Sequence, residues 1–195
     1  NLPVLSVVQF LIIFFTSDFY LLGVITLATQ MVNLVSIIIN RINSVTLPNL
    51  AKLKHDFISF RIRLKGELRI LIIASILSSS LICIILPYLL KFIKPELVNE
   101  SLGIQIFIAA NILTYIYWFS QEVNIIIHEN WKVFYANLIW AIIVITTTSV
   151  WLFYNLTFNL IIYALIVIGS RIMVVTYLLR NIFQKSKITN DKVFI

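Results

Sequence analysis

Long apolar runs separated by short polar breaks constrain this chain more than any motif in it. Runs from Phe19 to about Leu47, Arg69 to Leu90, Leu102 to Gln121, Val133 to Phe153 and Phe158 to Leu179 can each cross a hydrocarbon core of ~30 Å at ~1.5 Å per helical residue. A first run, Leu2 to Phe15, is shorter than the roughly 20 residues a crossing needs. Composition points the same way. The chain is 61% hydrophobic and 12% charged, with a mean hydropathy of +1.01, whereas a soluble domain is about half apolar and a quarter charged. There are too few polar residues to cover a water-facing surface. The expected fold is all-α, a polytopic membrane bundle of about six transmembrane helices.

The chain begins at Asn1 and runs directly into Leu2–Phe15 with no basic leader, unlike a signal peptide. The simplest expectation is a helix whose beginning lies upstream, which makes the chain a C-terminal portion of something longer. The single cysteine, Cys83, sits inside an apolar run, where a small core residue is expected. No Cys/His metal spacing occurs.

The net charge of +7 would suggest nucleic acid in a soluble chain. Here it reads as topology, because cytoplasmic loops carry the excess of Lys and Arg. Lys52, Lys54, Arg61, Arg63, Lys65, Arg69, Lys132, Arg180, Lys185, Lys187 and Lys192 fall on one side, against Lys91 and Lys94 on the other. One transmembrane domain is expected over residues 1–195, with a basic cytoplasmic loop at 48–68 and a cytoplasmic tail at 181–195. The turns at Thr16–Asp18, Lys91–Ser101 and Tyr154–Thr157 would then face outward. Within Leu53–Leu68, Phe57, Ile58, Phe60, Ile62 and Leu64 are interleaved with basic residues. That pattern fits a solvated basic loop, or a segment lying on anionic membrane lipid. The triplet Asn155-Leu156-Thr157 matches a glycosylation sequon that is frequent by chance.

Thr26, Gln30, Asn33, Asn40 and Ser44 form one stripe on the second span at ~100° per residue, with Arg41 on its edge. Lipid cannot satisfy side-chain amides, so the stripe must face other helices or water. Arg171 lies nine residues before Arg180, or ~13.5 Å inside the span's basic end. A guanidinium at that depth costs roughly 2.5–3.5 kcal/mol or more to insert and commonly marks a pathway. Arg41 is nearer its helix end, where snorkelling is the competing account. Asp18, Glu67, Glu96, Glu100, Glu122 and Glu129 all fall at span ends or in loops, so neither arginine has a counter-ion deep in a span. An anionic ligand such as a phosphate suits the guanidinium fork. The candidate cavity-lining, substrate-binding residues are therefore Arg171, Arg41, Gln30, Asn33 and Asn40.

Ser75, Ser78, Ser79 and Ser80, with Ala74, give the third span a small-residue packing face. Trp118, Trp131, Trp140 and Trp151 fall mostly near span ends, as in an aromatic belt. His128-Glu129 has no nucleophile in a fixed relation to it, and no catalytic or nucleotide-binding signature is present. An enzyme is not expected.

Gly23–Leu53, GVITLATQMVNLVSIIINRINSVTLPNLAKL, resembles the span of polysaccharide and O-antigen (Wzx-type) flippases that ends in a Pro-containing LP-x-LA turn. The basic stretch after it, the Ile84-Ile85-Leu86-Pro87-Tyr88 close of the next span, and the closing spans after Asn130-Trp131-Lys132 fit the same pattern. A departure is the Gln121–Lys132 loop, which is short and lacks glycine. The resemblance implies the multidrug/oligosaccharidyl-lipid/polysaccharide (MATE-like) exporter superfamily, with two six-helix lobes around a central cavity. This chain would be the C-terminal lobe and its partner the missing N-terminal lobe. The implied activity is flipping of undecaprenyl-pyrophosphate-linked oligosaccharide across the bacterial inner membrane by alternating access, with no cofactor beyond a coupling ion, Na+ or H+. The competing readings are a drug or other lipid-linked-precursor exporter of the same fold, a membrane enzyme, and a non-transport scaffold subunit.

Overall fold

The computed structural model describes residues 2–154 and 159–191. Among them the chain is a bundle of seven α-helices with one 3-10 turn and no strand. The helices are α1 (Leu2–Thr16), α2 (Phe19–Lys52), α3 (Phe57–Ile93), α4 (Ser101–Ala110), α5 (Ile112–Ile126), α6 (Asn130–Phe153) and α7 (Leu160–Asp191). The 3-10 turn, Pro95–Glu100, leads into α4, and α4 and α5 join at Asn111 as one span of Pro95–Ile126. With α2, α3, α6 and α7 this gives five helices long and apolar enough to cross a membrane, and α1 is a shorter apolar helix. Helices suit lipid because each satisfies its own backbone N–H and C=O groups.

Exposure inverts the soluble rule. On α3, Ile73, Leu77, Leu81, Ile84 and Tyr88 are all exposed at helical spacing. A contiguous apolar face of that kind needs lipid or protein against it. The opposite face of α3 buries Ser75, Ser78 and Ser79. Their small side chains allow close approach, and Ser75 and Ser78 turn their hydroxyls back to Leu71 O and Ala74 O. At the centre, α7 packs against α4, α5 and α6, and α2 packs against α3. The Phe107 and Tyr163 rings stack there with centroids 5.6 Å apart.

Two prolines sit inside helices, Pro48 in α2 and Pro87 in α3. A proline removes the N–H that would bond the carbonyl four residues back. For Pro87 that carbonyl is Cys83 O, and Gln105 of α4 donates its side-chain Nε2–H to it at 2.8 Å. The lost backbone bond becomes a bond between helices.

Several sequence-based boundaries are corrected. The expected 48–68 loop is a four-residue connection, Leu53 to Asp56, between two helix ends. On one side α2 continues through Pro48 to Lys52. On the other, Asp56 starts α3 by accepting from the Ile58 and Ser59 N–H groups at 3.2 Å. The basic stretch is thus the first turns of α3. The expected 181–195 tail begins as packed helix. α7 runs to Asp191, with Asn181 and Ile182 buried. The tail beyond Asp191 and the Asn155-Leu156-Thr157 triplet lie outside the described residues.

The short α5–α6 connection turns without glycine. His128 takes the left-handed position (φ 62°), and Glu129 N–H closes the turn on Asn124 O at 2.8 Å, a Schellman arrangement. At the same end Arg61 stacks over Phe183 at 5.8 Å. Lys132 Nζ donates to Asn181 Oδ1, whose amide Nδ2 donates to Asn124 Oδ1 at 2.7 Å. The starts of α3 and α6 and the close of α7 therefore meet at one basic end of the bundle.

Candidate functional site

The functional question turns on where the bundle puts its polar groups. Arg171, on α7, is only 3% exposed. Its guanidinium carbon lies 4.0 Å from the Tyr117 ring centroid on α5 and 3.9 Å from the Trp140 ring on α6. Two aromatic faces therefore do part of what a buried carboxylate would do. A desolvated cation–π contact stabilises by about 2 kcal/mol or more. Arg171 Nε and Nη1 nonetheless have no hydrogen-bond partner among the described residues.

The Tyr117 ring is itself fixed. Its hydroxyl donates to Asn137 Oδ1 at 2.6 Å, and Gln121 Nε2 donates to the same oxygen at 2.9 Å. Asn137 in turn donates to Val133 O at 3.0 Å. A polar chain thus runs from α5 to α6 beside the arginine. Sequence reasoning missed it. The available signal was the four-residue spacing of Tyr117 and Gln121 within one apolar span. Trp140, expected in an interfacial belt, is buried beside Arg171 instead.

Arg171 borders a cavity of about 100 Å³ that also touches Asn33, Asn111, Thr114, Trp118 and Tyr163. Thr114 Oγ1 and Trp140 Nε1 are further buried polar atoms without partners among the described residues. The α4–α5 junction at Asn111 lies on the same cavity, so the first turn of α5 opens onto it. Unpaired N–H and O–H groups converge here on a space that holds several waters or one small anion. An oligosaccharide does not fit it in this conformation.

The α2 stripe is exposed along its length at Thr26, Gln30, Asn33, Asn40 and Ser44. The two hydroxyls turn back to their own helix, Thr26 to Leu22 O and Ser44 to Arg41 O, each at 2.8 Å. The amides of Gln30, Asn33 and Asn40 make no hydrogen bond among the described residues. Unbonded amides on the outside of a membrane-length helix are unfavourable against lipid.

Of the five candidate residues, the structure joins Arg171 and Asn33 on one cavity. Gln30 and Asn40 continue the stripe into open grooves on either side, Gln30 beside Lys94 and Glu96, Asn40 beside Ser44, Trp118 and Glu122. Arg41 is placed apart. It borders an α2–α3 groove with Asn49, Arg63, Glu67 and Ile70. Glu67, expected at an open span end, is buried there and pairs with Arg63 at 2.6 Å.

Comparison of the chain with known protein families, with curated proteins and with solved structures finds no match in any of the three.

Proposed function

We propose that this chain is one lobe of an alternating-access exporter. Its substrate would be undecaprenyl-pyrophosphate-linked oligosaccharide, carried between the leaflets of the bacterial inner membrane with the basic end of the bundle in the cytoplasm. The observation that carries the proposal is Arg171: a buried guanidinium with two nitrogens unpartnered among the described residues, on a cavity shared with the polar face of α2. A pyrophosphate would supply oxygen acceptors for the Nε and Nη1 groups that have no partner among the described residues. The exposed amides of Gln30, Asn33 and Asn40 suit a water-filled passage between this lobe and a second one. On this proposal the 100 Å³ cavity is a closed state. The Arg171 side chain must part from one of its rings when the lobes separate, and a Na+ or H+ gradient would drive the cycle.

A second reading has a specific observation behind it. The ring sandwich at 3.9 and 4.0 Å suits a purely structural arginine that pins α5, α6 and α7 together in a non-transporting subunit. One experiment separates the two. Arg171→Ala and Arg171→Lys are compared for membrane abundance, thermal stability and transfer of the lipid-linked oligosaccharide in vesicles. The transport reading expects near-normal abundance with transfer abolished in the Ala variant and impaired in the Lys variant, which lacks the bidentate fork. Normal transfer by Arg171→Ala removes the arginine from the mechanism. Loss of abundance in step with loss of transfer favours the structural pin.

A further inference from the structure

A second groove carries an inference that does not depend on the transport reading. It lies where α3 meets α5 and α7 and has a volume of about 430 Å³. Its lining changes in character along its length. Lys65 and Arg69, one helical turn apart on α3, stand at the basic end, and Ile72, Ile73, Ile116 and Val175 continue it toward the middle of the bundle. Both cations are exposed. Neither forms an ion pair among the described residues, and no carboxylate lines the groove. The neighbouring α2–α3 groove differs in that Glu67 already pairs with Arg63 there.

A polar-to-apolar gradient of this kind, over two turns or ~12 Å, matches one class of molecule abundant around a membrane helix. We propose that this groove binds a single anionic phospholipid, its phosphate between Lys65 and Arg69 and an acyl chain along Ile72, Ile73, Ile116 and Val175. Basic pockets between helices recognise anionic headgroups by charge, and the apolar floor offers an acyl chain a contact that a free phosphate cannot make. The bound lipid would fill the seam between α3 and α7 and hold the two helices at a fixed distance. Its binding is separate from the Arg171 cavity.

The test is native mass spectrometry of the purified protein titrated with phosphatidylglycerol or with phosphatidylcholine of the same acyl chains. Each interfacial cation strengthens anionic-lipid binding about fivefold, so Lys65→Gln/Arg69→Gln should weaken phosphatidylglycerol retention ~25-fold and leave phosphatidylcholine retention unchanged. The charge-conserving Lys65→Arg/Arg69→Lys pair should retain the preference. Lys91→Gln/Lys94→Gln, which removes two charges at the opposite end, should retain it too. The proposal is overturned if the Lys65/Arg69 neutral pair binds phosphatidylglycerol as tightly as the parent. It is equally overturned if the Lys91/Lys94 pair loses as much, since net charge alone would then explain the effect.

Discussion

Gln105 offers a test of how the bundle copes with a proline in the middle of a span. Pro87 leaves Cys83 O without its backbone donor, and Gln105 Nε2 supplies one across the α3–α4 contact at 2.8 Å. Replacing Gln105 by Met keeps the side chain's length and apolar stem but removes the donor. A buried carbonyl left unsatisfied costs about 1–3 kcal/mol. Both residues are only half-buried here, and interhelical hydrogen bonds in membrane bundles average about 0.6 kcal/mol, reaching about 1.7. The expected loss is therefore about 1 kcal/mol. If the reasoning is right, the loss belongs to the proline. In a Pro87→Ala background, residue 87 regains an N–H for Cys83 O, and Gln105→Met should become nearly neutral. A double-mutant cycle by reversible unfolding in mixed micelles, followed by tryptophan fluorescence, reads the coupling directly. Equal losses in the two backgrounds, within about 0.3–0.5 kcal/mol, would refute the idea that Gln105 replaces the bond removed by Pro87.

Two further outcomes follow from the basic end. Asn181→Leu removes a hydrogen-bond partner from both Lys132 Nζ, which keeps Glu129, and Asn124 Oδ1, and should destabilise the protein by about 1–2 kcal/mol in the same unfolding assay; an unchanged midpoint would mean these bonds hold nothing. At the start of α3, the Ser59 hydroxyl first, then the Ser59 and Ile58 N–H groups, hold the Asp56 carboxyl below its ordinary range. A depressed folded pKa means stability that is present above the unfolded value of about 3.9 and lost as pH falls through the folded one. The stability gap between the parent and Asp56→Ala should therefore be constant at neutral pH and narrow only below about pH 4. A gap that closes near pH 6 would assign the effect to another group.

The bundle was legible in the sequence because the bilayer sets helix length, and runs such as Val133–Phe153 have few alternatives. Helix ends were less legible. Basic residues after Pro48 suggested a loop, but Lys and Arg are good helix formers, and the Asp56 cap with the apolar residues Phe60 and Leu64 buried inward carries α3 on past the hydrocarbon boundary. Asn181 looked like the start of a tail because its partners, Asn124 and Lys132, are more than forty residues away in sequence. The α2 stripe was visible from its spacing, and the bundle leaves it exposed. The Arg171 environment was half visible. Depth singled the residue out, whereas the Tyr117 and Trp140 rings come from two other helices and only the packed bundle brings them together. Arg41 shows the limit of a stripe drawn on one helix: a displacement around α2 puts it on a different groove.

The central claim is that the polar face of α2 meets water, while the apolar face of α3 meets lipid. Single cysteines at Asn33 and Asn40 on α2, and at Leu77 and Ile84 on α3, would be placed in a Cys83→Ser background and treated in membranes with a water-soluble, membrane-impermeant maleimide. Labelling is expected at positions 33 and 40, and protection at 77 and 84. Protection at all four positions would contradict it, and would return the α2 amides to a contact buried between helices.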